Sequence, residues 1–349
     1  MKKILTLMLC LVMTVSALSG CGAKSDTASS GGTENNGAAQ SDSTDKVYKF
    51  ALISNGPIND GDWNENGWRG LQKVQAKYGE DKIQISYSEN VAQADYADTF
   101  YGYAKDGYDL VIGNGFEFSV ACFSVCDEFP DTKFAIVNGL EYRDNVCAFE
   151  FDNVEFGYMA GAAMGLVAEQ MGTNAAFICA EAIPSYRNFY LGMEAGVKAV
   201  SDKVTTTDYY TGDWTDITKG SDVARNAIAN NEKVMCPWIG AVNHAIFTVC
   251  DENDCMFINT AINLSDEALQ DNNIMTLTQD LSELICAGCS TVVEGTYPAN
   301  GALSGSFANG LNVLGEYGEC LSEDQKAQLT DIYNQLVDGK IELPAKVSE

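Results

Sequence analysis

The sequence has little positive charge and almost no histidine. Its 349 residues include 21 Lys and Arg against 49 Asp and Glu, which gives a formal net charge of −28, and they include a single histidine. A chain this acidic repels the phosphates of nucleic acids and offers no basic patch to anionic lipid head groups. We therefore expect no nucleic-acid partner.

The common catalytic motifs are also missing. The chain contains no G-x-S-x-G elbow, no H-E-x-x-H and no phosphate loop of the G-x-x-x-x-G-K type, and one histidine leaves little for proton transfer. The sequence predicts a binding protein rather than an enzyme, with no cofactor. A nucleoside-acting hydrolase, with Asp60 and Asp62 as base and metal ligand, is the alternative from another class.

Cysteines with the spacing of metal ligands are scarce. Cys286 and Cys289 form one C-x-x-C, but no second pair accompanies it, so we expect no zinc site. Cys147, Cys179 and Cys236 lie in apolar runs, where a free thiol behaves as a small core side chain. Beyond residue 21 ten cysteines remain, and we expect buried free thiols, with disulfides as the open alternative.

The N-terminus carries the features of an export signal. Lys2 and Lys3 precede an apolar stretch, residues 4–17, that is too short to span a bilayer. The following Leu18-Ser19-Gly20-Cys21 resembles a bacterial lipobox, so we interpret residues 1–20 as a lipoprotein signal peptide and Cys21 as the lipidated residue. An ordinary cleaved signal peptide is the alternative.

The next segment is low in complexity. Residues 22–45 contain no aromatic residue and no aliphatic residue larger than alanine, so they cannot bury enough apolar surface to fold. We interpret residues 21–45 as a flexible tether and residues 46–349 as a binding domain. No later stretch is a membrane-span candidate. From the lipobox-like segment we expect the domain to be lipid-anchored at the cell membrane, on its extracytoplasmic face.

From Val47 the chain alternates short β-rich runs with longer helical patterns. Repeated units of this kind predict an α/β protein, with parallel sheets covered by helices on both faces. The alternation restarts after a segment near 141–153, which predicts two lobes and a ligand crevice between them. We expect the first lobe to comprise about 46–145 plus 240–275, and the second about 150–238 plus 280–345.

The loop after the first strand is the first candidate binding element. In open parallel sheets, ligands bind beyond the carboxyl ends of the strands. This loop carries Asp60, Trp63 and Asn64 in a polar segment that leads into a helix. Helix capping by Asp60 or Asp62 and core anchoring by Trp63 are the alternative interpretation.

Five segments resemble one family in the same order. They are Gly56–Asn64 (compare G-G-I-D-D-x-S-F-N-Q), Val111–Phe116 with Phe129–Phe134, Gly157–Gly161, Ile183–Ala199 and Tyr210–Asp216. Together they resemble the basic membrane protein family, the purine nucleoside receptor lipoproteins of bacterial ABC importers. The resemblance implies a type I periplasmic-binding-protein fold and a monomer that passes a nucleoside or nucleobase-like ligand to an ABC permease.

The resemblance also implies site residues. It implies that Trp63 and Trp214 stack on a flat base from the two lobes, and that Asp60 and Asn64 bond the base edge. The other candidates at strand ends are Asn114, Phe116, Asp213, Trp238 and Asn259.

The second half departs from the family pattern. The family shows G-V-D-x-D after a late strand and a lysine some twenty residues on, both toward the ribose, whereas this chain has Asn259 in the strand and Asp280 near the lysine position. A free nucleobase, another nucleoside or a different flat heterocycle therefore remains open. A tethered sensor that presents its ligand to a membrane receptor is a further alternative.

Overall fold

The computed structural model describes residues 46–61, 63–260 and 271–347. The expected signal peptide (1–20), the lipidation residue Cys21 and the tether (21–45) lie outside these ranges and stay predictions. The described ranges belong to one compact unit, residues 45–349. Within them, no helix combines the length and the apolar character that crossing a bilayer requires.

Strands and helices alternate along the described ranges. The strands are β1 (Tyr48–Ile53), β2 (Ile83–Ser88), β3 (Leu110–Gly113), β4 (Lys133–Val137), β5 (Val146–Phe151), β6 (Asn174–Cys179), β7 (Thr206–Tyr210), β8 (Glu232–Trp238), β9 (Met256–Asn259), β10 (Asn273–Gln279), β11 (Ala302–Gly305) and β12 (Asn312–Tyr317). The α-helices are α1 (Trp63–Tyr78), α2 (Tyr96–Lys105), α3 (Ser119–Val125), α4 (Asn153–Met171), α5 (Pro184–Val200), α6 (Ile217–Ala229), α7 (Asn243–Glu252), α8 (Leu281–Val293) and α9 (Glu323–Val337).

The strands form two six-stranded sheets. The first has the order β11-β5-β4-β3-β1-β2, and all its neighbouring strands are parallel. The second has the order β12-β10-β9-β8-β6-β7 and is parallel except where β10 pairs with β12. The predicted α/β class with two parallel-dominated sheets is confirmed.

Helices cover both faces of each sheet. On the first sheet, Leu71 of α1 and Ile285 of α8 belong to the core of one face, and Phe100 of α2 and Cys122 of α3 belong to that of the other. On the second sheet, α4, α5 and α9 cover one face, whereas α6 and α7 cover the other. Because both faces are covered, the central strands are continuous apolar runs, and every residue of β3 is buried.

Glycines set the distance between α4 and α5. A Cβ added at Gly157 would lie 2.0 Å from the carbonyl oxygen of Phe189, and one at Gly161 would lie 2.1 Å from that of Met193. Gly192 and Gly196 of α5 meet the backbone of α4 in the same way. The small residues therefore serve close packing of the two helices.

The chain passes between the sheets three times, and the observed division differs from the expected one. It leaves the first sheet after β5, returns after β10 to form α8 and β11, and leaves again before β12. Residues 240–275, expected in the first lobe, include α7 and β9, which belong to the second sheet. Residues 281–305, expected in the second lobe, include α8 and β11, which belong to the first. The segment near 141–153 is not only a crossing, because it contains β5.

Buried and partly buried polar side chains join the three crossings. Gln279 donates from Nε2 to Oδ1 of Asn153 at 2.9 Å and to Oδ1 of Asn312 at 3.0 Å. Asn312 donates to the carboxylate of Glu155 at 3.1 Å. Burial raises the pKa of Glu155, which also accepts from the backbone N–H of Phe307 at 2.8 Å. We call Asn153, Glu155, Gln279 and Asn312 the crossover cluster.

Candidate ligand site at the strand ends

Strand order places a crevice between β1 and β3. β1 lies between β2 and β3, so the connections that follow β1 and β3 leave in opposite directions at this point of the sheet. The second sheet repeats the arrangement, with β6 between β7 and β8. The residues just after these strands therefore occupy the positions where doubly wound sheets bind ligands.

Asp60 caps the helix that begins at Trp63. Its Oδ2 accepts from the backbone N–H of Asn64 at 3.0 Å and from the side-chain amide of Asn64 at 2.9 Å, and its Oδ1 accepts from the backbone N–H of Glu65 at 3.0 Å. The geometry matches the capping interpretation. A contact between Asp60 and a ligand stays a proposal.

Asn64 and Asn114 connect the two loops. Asn114 donates from Nδ2 to Oδ1 of Asn64 at 3.2 Å, and the two side chains are only 1% and 7% exposed, respectively. The indole Nε1 of Trp63 donates to the backbone carbonyl of Asn114 at 2.8 Å. The structure thus brings Asp60, Trp63, Asn64 and Asn114 together in one hydrogen-bonded group.

One acceptor in that group has no donor within the described ranges. The Oδ1 of Asn114 is buried and has no hydrogen-bond partner among the described residues. The hydroxyl of Ser54, directly after β1, is also buried and has no hydrogen-bond partner among these residues. Buried polar atoms are paired in most native proteins, so unpaired atoms at a strand-end crevice mark a position for a further partner.

Phe116 and Glu117 extend the loop after β3. Phe116 is 41% exposed, although it is a large apolar side chain. The carboxylate of Glu117 accepts from the side-chain amide of Asn55 at 2.8 Å, which joins this loop to the one after β1. Burial raises the pKa of Glu117.

On the second sheet, Asp213 holds the turn that presents Trp214. Its Oδ1 accepts from the backbone N–H groups of Thr215 at 2.9 Å and of Asp216 at 3.1 Å, and Lys219 lies 3.3 Å from its Oδ2. The bond from Thr215, followed by the bond from Lys219, lowers the pKa of Asp213 to about 2. Trp214 itself is 45% exposed.

Tyr186 connects Trp214 to Trp238. Its ring centroid lies 5.8 Å from that of Trp214 and 5.2 Å from that of Trp238. Trp238 also contacts Phe156 and Phe189, at 5.5 and 5.2 Å, so it packs into the aromatic part of the core while one part stays accessible. Asn259 is buried at the end of β9, where it donates to the hydroxyl of Thr276 at 3.4 Å.

Two cavities border loops that follow strands. A surface cavity of about 470 Å³ borders the loop after β1, with Trp68 and Tyr87 in its wall. A smaller one, of about 30 Å³, is lined from both sheets; its residues include Asn138, Ser185, Asn188 and Lys346. The sequence did not indicate the residues that line these two cavities, or Ser54 and Glu117, as site residues. Ser54 and Asn138 directly follow strands, and this position was the signal that could have indicated those two.

The ten cysteines of the described ranges are free thiols, and nine are buried. Buried free thiols were the expected state. Desolvation raises the pKa of Cys147 to about 12. In the same ranges, no group of three His, Cys, Asp or Glu side chains could hold a metal ion.

Comparison with known proteins decides the family. Residues 47–346 match the Bmp model, described as the ABC transporter substrate-binding protein PnrA-like family. The chain belongs to this family. The "CD4+ T-cell-stimulating antigen" of Listeria innocua is 24% identical over 370 residues, which cover 99% of this chain and 100% of that protein.

Solved structures agree with the observed architecture. A solute-binding protein of an ABC transporter system from Aeropyrum pernix has a TM-score of 0.71 at 17% identity, covering 86% of this chain and 94% of that one. GanP, a glucose-galactose binding protein from Geobacillus stearothermophilus, has a TM-score of 0.58 at 12% identity, covering 77% and 97%. The resemblance to the basic membrane protein family and the two-lobed periplasmic-binding-protein fold are thus confirmed. As a family member, the chain is a substrate-binding protein of an ABC transporter, which binds a small molecule and a permease.

Proposed function

We propose that this protein is a monomeric extracytoplasmic lipoprotein that binds a flat heterocycle, a nucleoside or a nucleobase, between its two lobes and delivers it to an ABC permease. The observation that carries the ligand class is Trp214. Its large apolar ring is 45% exposed on a loop beyond the second sheet, and the hydrogen bonds of Asp213 fix that loop. An exposed ring on a rigid support is suited to stacking, because the support reduces the ordering cost of binding.

The first lobe supplies the second aromatic element. The indole of Trp63 is oriented by its bond to the Asn114 carbonyl, and Phe116 is exposed in the loop after β3. The unpaired Oδ1 of Asn114 is an acceptor that a ligand N–H or O–H can satisfy. A site that offers ring stacking and a hydrogen bond at the ring edge suits a heterocycle better than an aliphatic ligand.

A sugar is the competing ligand class. Aromatic rings also stack on sugars, and the Geobacillus structure of the same fold is a glucose-galactose binding protein. The two classes differ in the number of hydroxyl groups that need partners. The described first-lobe site offers the Asn64 and Asn114 amides, which form one hydrogen-bonded chain that ends on Asp60. Because these amides are already bonded to each other and to Asp60, they favour a ligand whose main contact is a ring face.

Thermal shift of the purified full chain tests this proposal. Nucleobases, nucleosides and simple sugars are screened, and a ligand that binds only the native state raises the melting temperature by mass action. We expect shifts with nucleosides or nucleobases. Trp214→Ala should weaken that binding by at least roughly tenfold, which corresponds to about 1.4 kcal/mol. Shifts with sugars alone would refute the heterocycle.

A matched aromatic variant controls for general effects of losing a ring. Tyr101 on α2 is 40% exposed and contacts Phe129, which precedes β4 and so lies toward the amino-terminal ends of the strands, away from the site. Tyr101→Ala should leave ligand affinity unchanged. If both variants lose affinity equally, Trp214 has no special role in binding.

The lipid anchor is tested separately from the ligand. Cys21→Ser removes the only thiol in the lipobox-like segment, so the protein should leave the membrane fraction of expressing cells. Continued membrane association of Cys21→Ser would mean that residues 18–21 are not a lipobox. Ligand binding by the released protein should be unchanged.

A further inference from the structure

Glu117 occupies the switch point of the first sheet. The loops that follow β1 and β3 diverge there, and Glu117 lies on the second of them. Its Oε1 accepts from the side-chain amide of Asn55, on the first loop, at 2.8 Å. The carboxylate therefore bridges the two loops whose residues form the first-lobe part of the site.

The backbone beside Glu117 leaves room for its carboxylate to fold back. A Cβ at Gly115 would lie 2.3 Å from Oε2 of Glu117, so any larger residue would displace the carboxylate. The side chain is half-buried, and burial raises its pKa. Contacts within the loop therefore fix the position of the Glu117 carboxylate.

Among the described residues, Glu117 has no cationic partner. In the part of the chain that the structure describes, the salt bridges involve other carboxylates. The hydrogen bond that the Glu117 side chain accepts from another residue comes from the neutral amide of Asn55. An ionised carboxylate only accepts hydrogen bonds and has about four acceptor positions on its two oxygens. A half-buried carboxylate of this kind is stabilised by a ligand that brings N–H donors.

We propose that Glu117 is a specificity-determining residue that accepts hydrogen bonds from the donor edge of the bound heterocycle. This rests on the proposed function and narrows it to heterocycles that present a ring N–H beside an exocyclic amino group. Two adjacent donors match the two oxygens of a carboxylate, which is the geometry that makes charge-assisted pairs strong. The same charge disfavours ligands that place an anionic group at this edge.

Guanosine and inosine form a matched pair of probes. They share the ribose and the ring N–H, but inosine lacks the exocyclic amino group. Calorimetric titration of the purified full chain should show tighter binding of guanosine by roughly tenfold, because a charged acceptor loses one donor with inosine. Equal affinities would contradict the proposal.

The variant Glu117→Gln keeps the size and one acceptor but removes the charge. Guanosine affinity should fall by roughly tenfold to a hundredfold, inosine affinity should fall less, and the preference between them should narrow. Glu128→Gln is the matched control, because Glu128 is exposed and lies beyond the carboxyl end of α3, whereas Glu117 precedes its amino end. It should bind both nucleosides as the native chain does.

The outcomes separate this proposal from the one on which it rests. If Glu117→Gln retains the native preference while Trp214→Ala loses binding of both nucleosides, the role of Glu117 is refuted and the heterocycle site stands. If the native chain binds neither nucleoside, nor any nucleobase in the thermal screen, the proposed function fails, and the role of Glu117 fails with it. Unchanged melting temperatures of the unliganded variants exclude misfolding as the cause of a loss.

Discussion

Gly161 offers a sharp test of how the second lobe is packed. An added Cβ would lie 2.1 Å from the carbonyl oxygen of Met193, whereas ordinary contacts begin at 3.4 Å. Gly161→Ala therefore lacks about 1.3 Å of space. The obstructing atom belongs to the backbone of α5, so no change of side-chain rotamer can relieve the contact, and the two helices must move apart.

The magnitude follows from two opposing effects. Alanine favours a helix interior over glycine by about 0.5–1 kcal/mol. Overpacking a well-packed core costs about 1–3 kcal/mol and occasionally more, and here the neighbouring contacts at Gly157, Gly192 and Gly196 resist helix separation. We expect a net decrease of about 1–2 kcal/mol in the free energy of unfolding.

Gly102→Ala is the matched control. Gly102 lies inside α2, and a Cβ there would meet nothing within 4 Å. This variant should be more stable than the native chain by about 0.5–1 kcal/mol, because only the helix propensity changes. Urea unfolding followed by circular dichroism measures both variants. If Gly161→Ala unfolds at the same urea concentration as Gly102→Ala, the close approach of α4 and α5 does not limit packing.

Three further predictions concern titratable groups. Because thiolates are the reactive form and burial raises the thiol pKa values, a thiol reagent should modify the partly exposed Cys320 first, and the nine buried thiols only on unfolding. Burial raises the pKa of Glu155 above 4.5, so the native state holds that proton more tightly than the unfolded chain does. The native chain should therefore lose stability as the pH rises from about 4.5, and Glu155→Gln should remove this loss. Urea unfolding of both proteins between about pH 4 and 7 measures the difference. Lys346→Ala breaks pairs with Glu150 and Asp152, but because Lys346 is 42% exposed the same assay should show a loss below about 1 kcal/mol.

The fold class followed from the sequence, because its signal is local. Continuous apolar runs such as Leu110–Gly113 indicate strands buried on both faces, and helical spacing from Trp63 onward indicates a covering helix. The crossing points carry no such signal. α8 has the same apolar pattern whichever sheet it covers, so its assignment to the first sheet depends on the partners that Leu284 and Ile285 meet there.

For the candidate residues, a sequence motif indicates the position in the fold but not the role of each side chain. Asp60 and Asn64 mark a strand-end loop, and the structure places Asn64 beside Asn114. Whether the aspartate caps a helix or contacts a ligand depends on which donors surround it, and the sequence does not contain that information. The capping bonds to Asn64 and Glu65 became visible only in three dimensions.

Glu117 shows why the remaining residues could not be predicted. Nothing in Phe116-Glu117-Phe118 distinguishes this acid from the many others in a chain with 49 Asp and Glu. Its distinct character comes from Asn55, which is 62 positions away, and from the missing side chain at Gly115. Asn55 becomes a neighbour of Glu117 only because β1 pairs with β3 across the switch point. A single chain's sequence can therefore locate a binding edge from strand endings, whereas the specificity of that edge depends on pairings between loops that the order of strands creates.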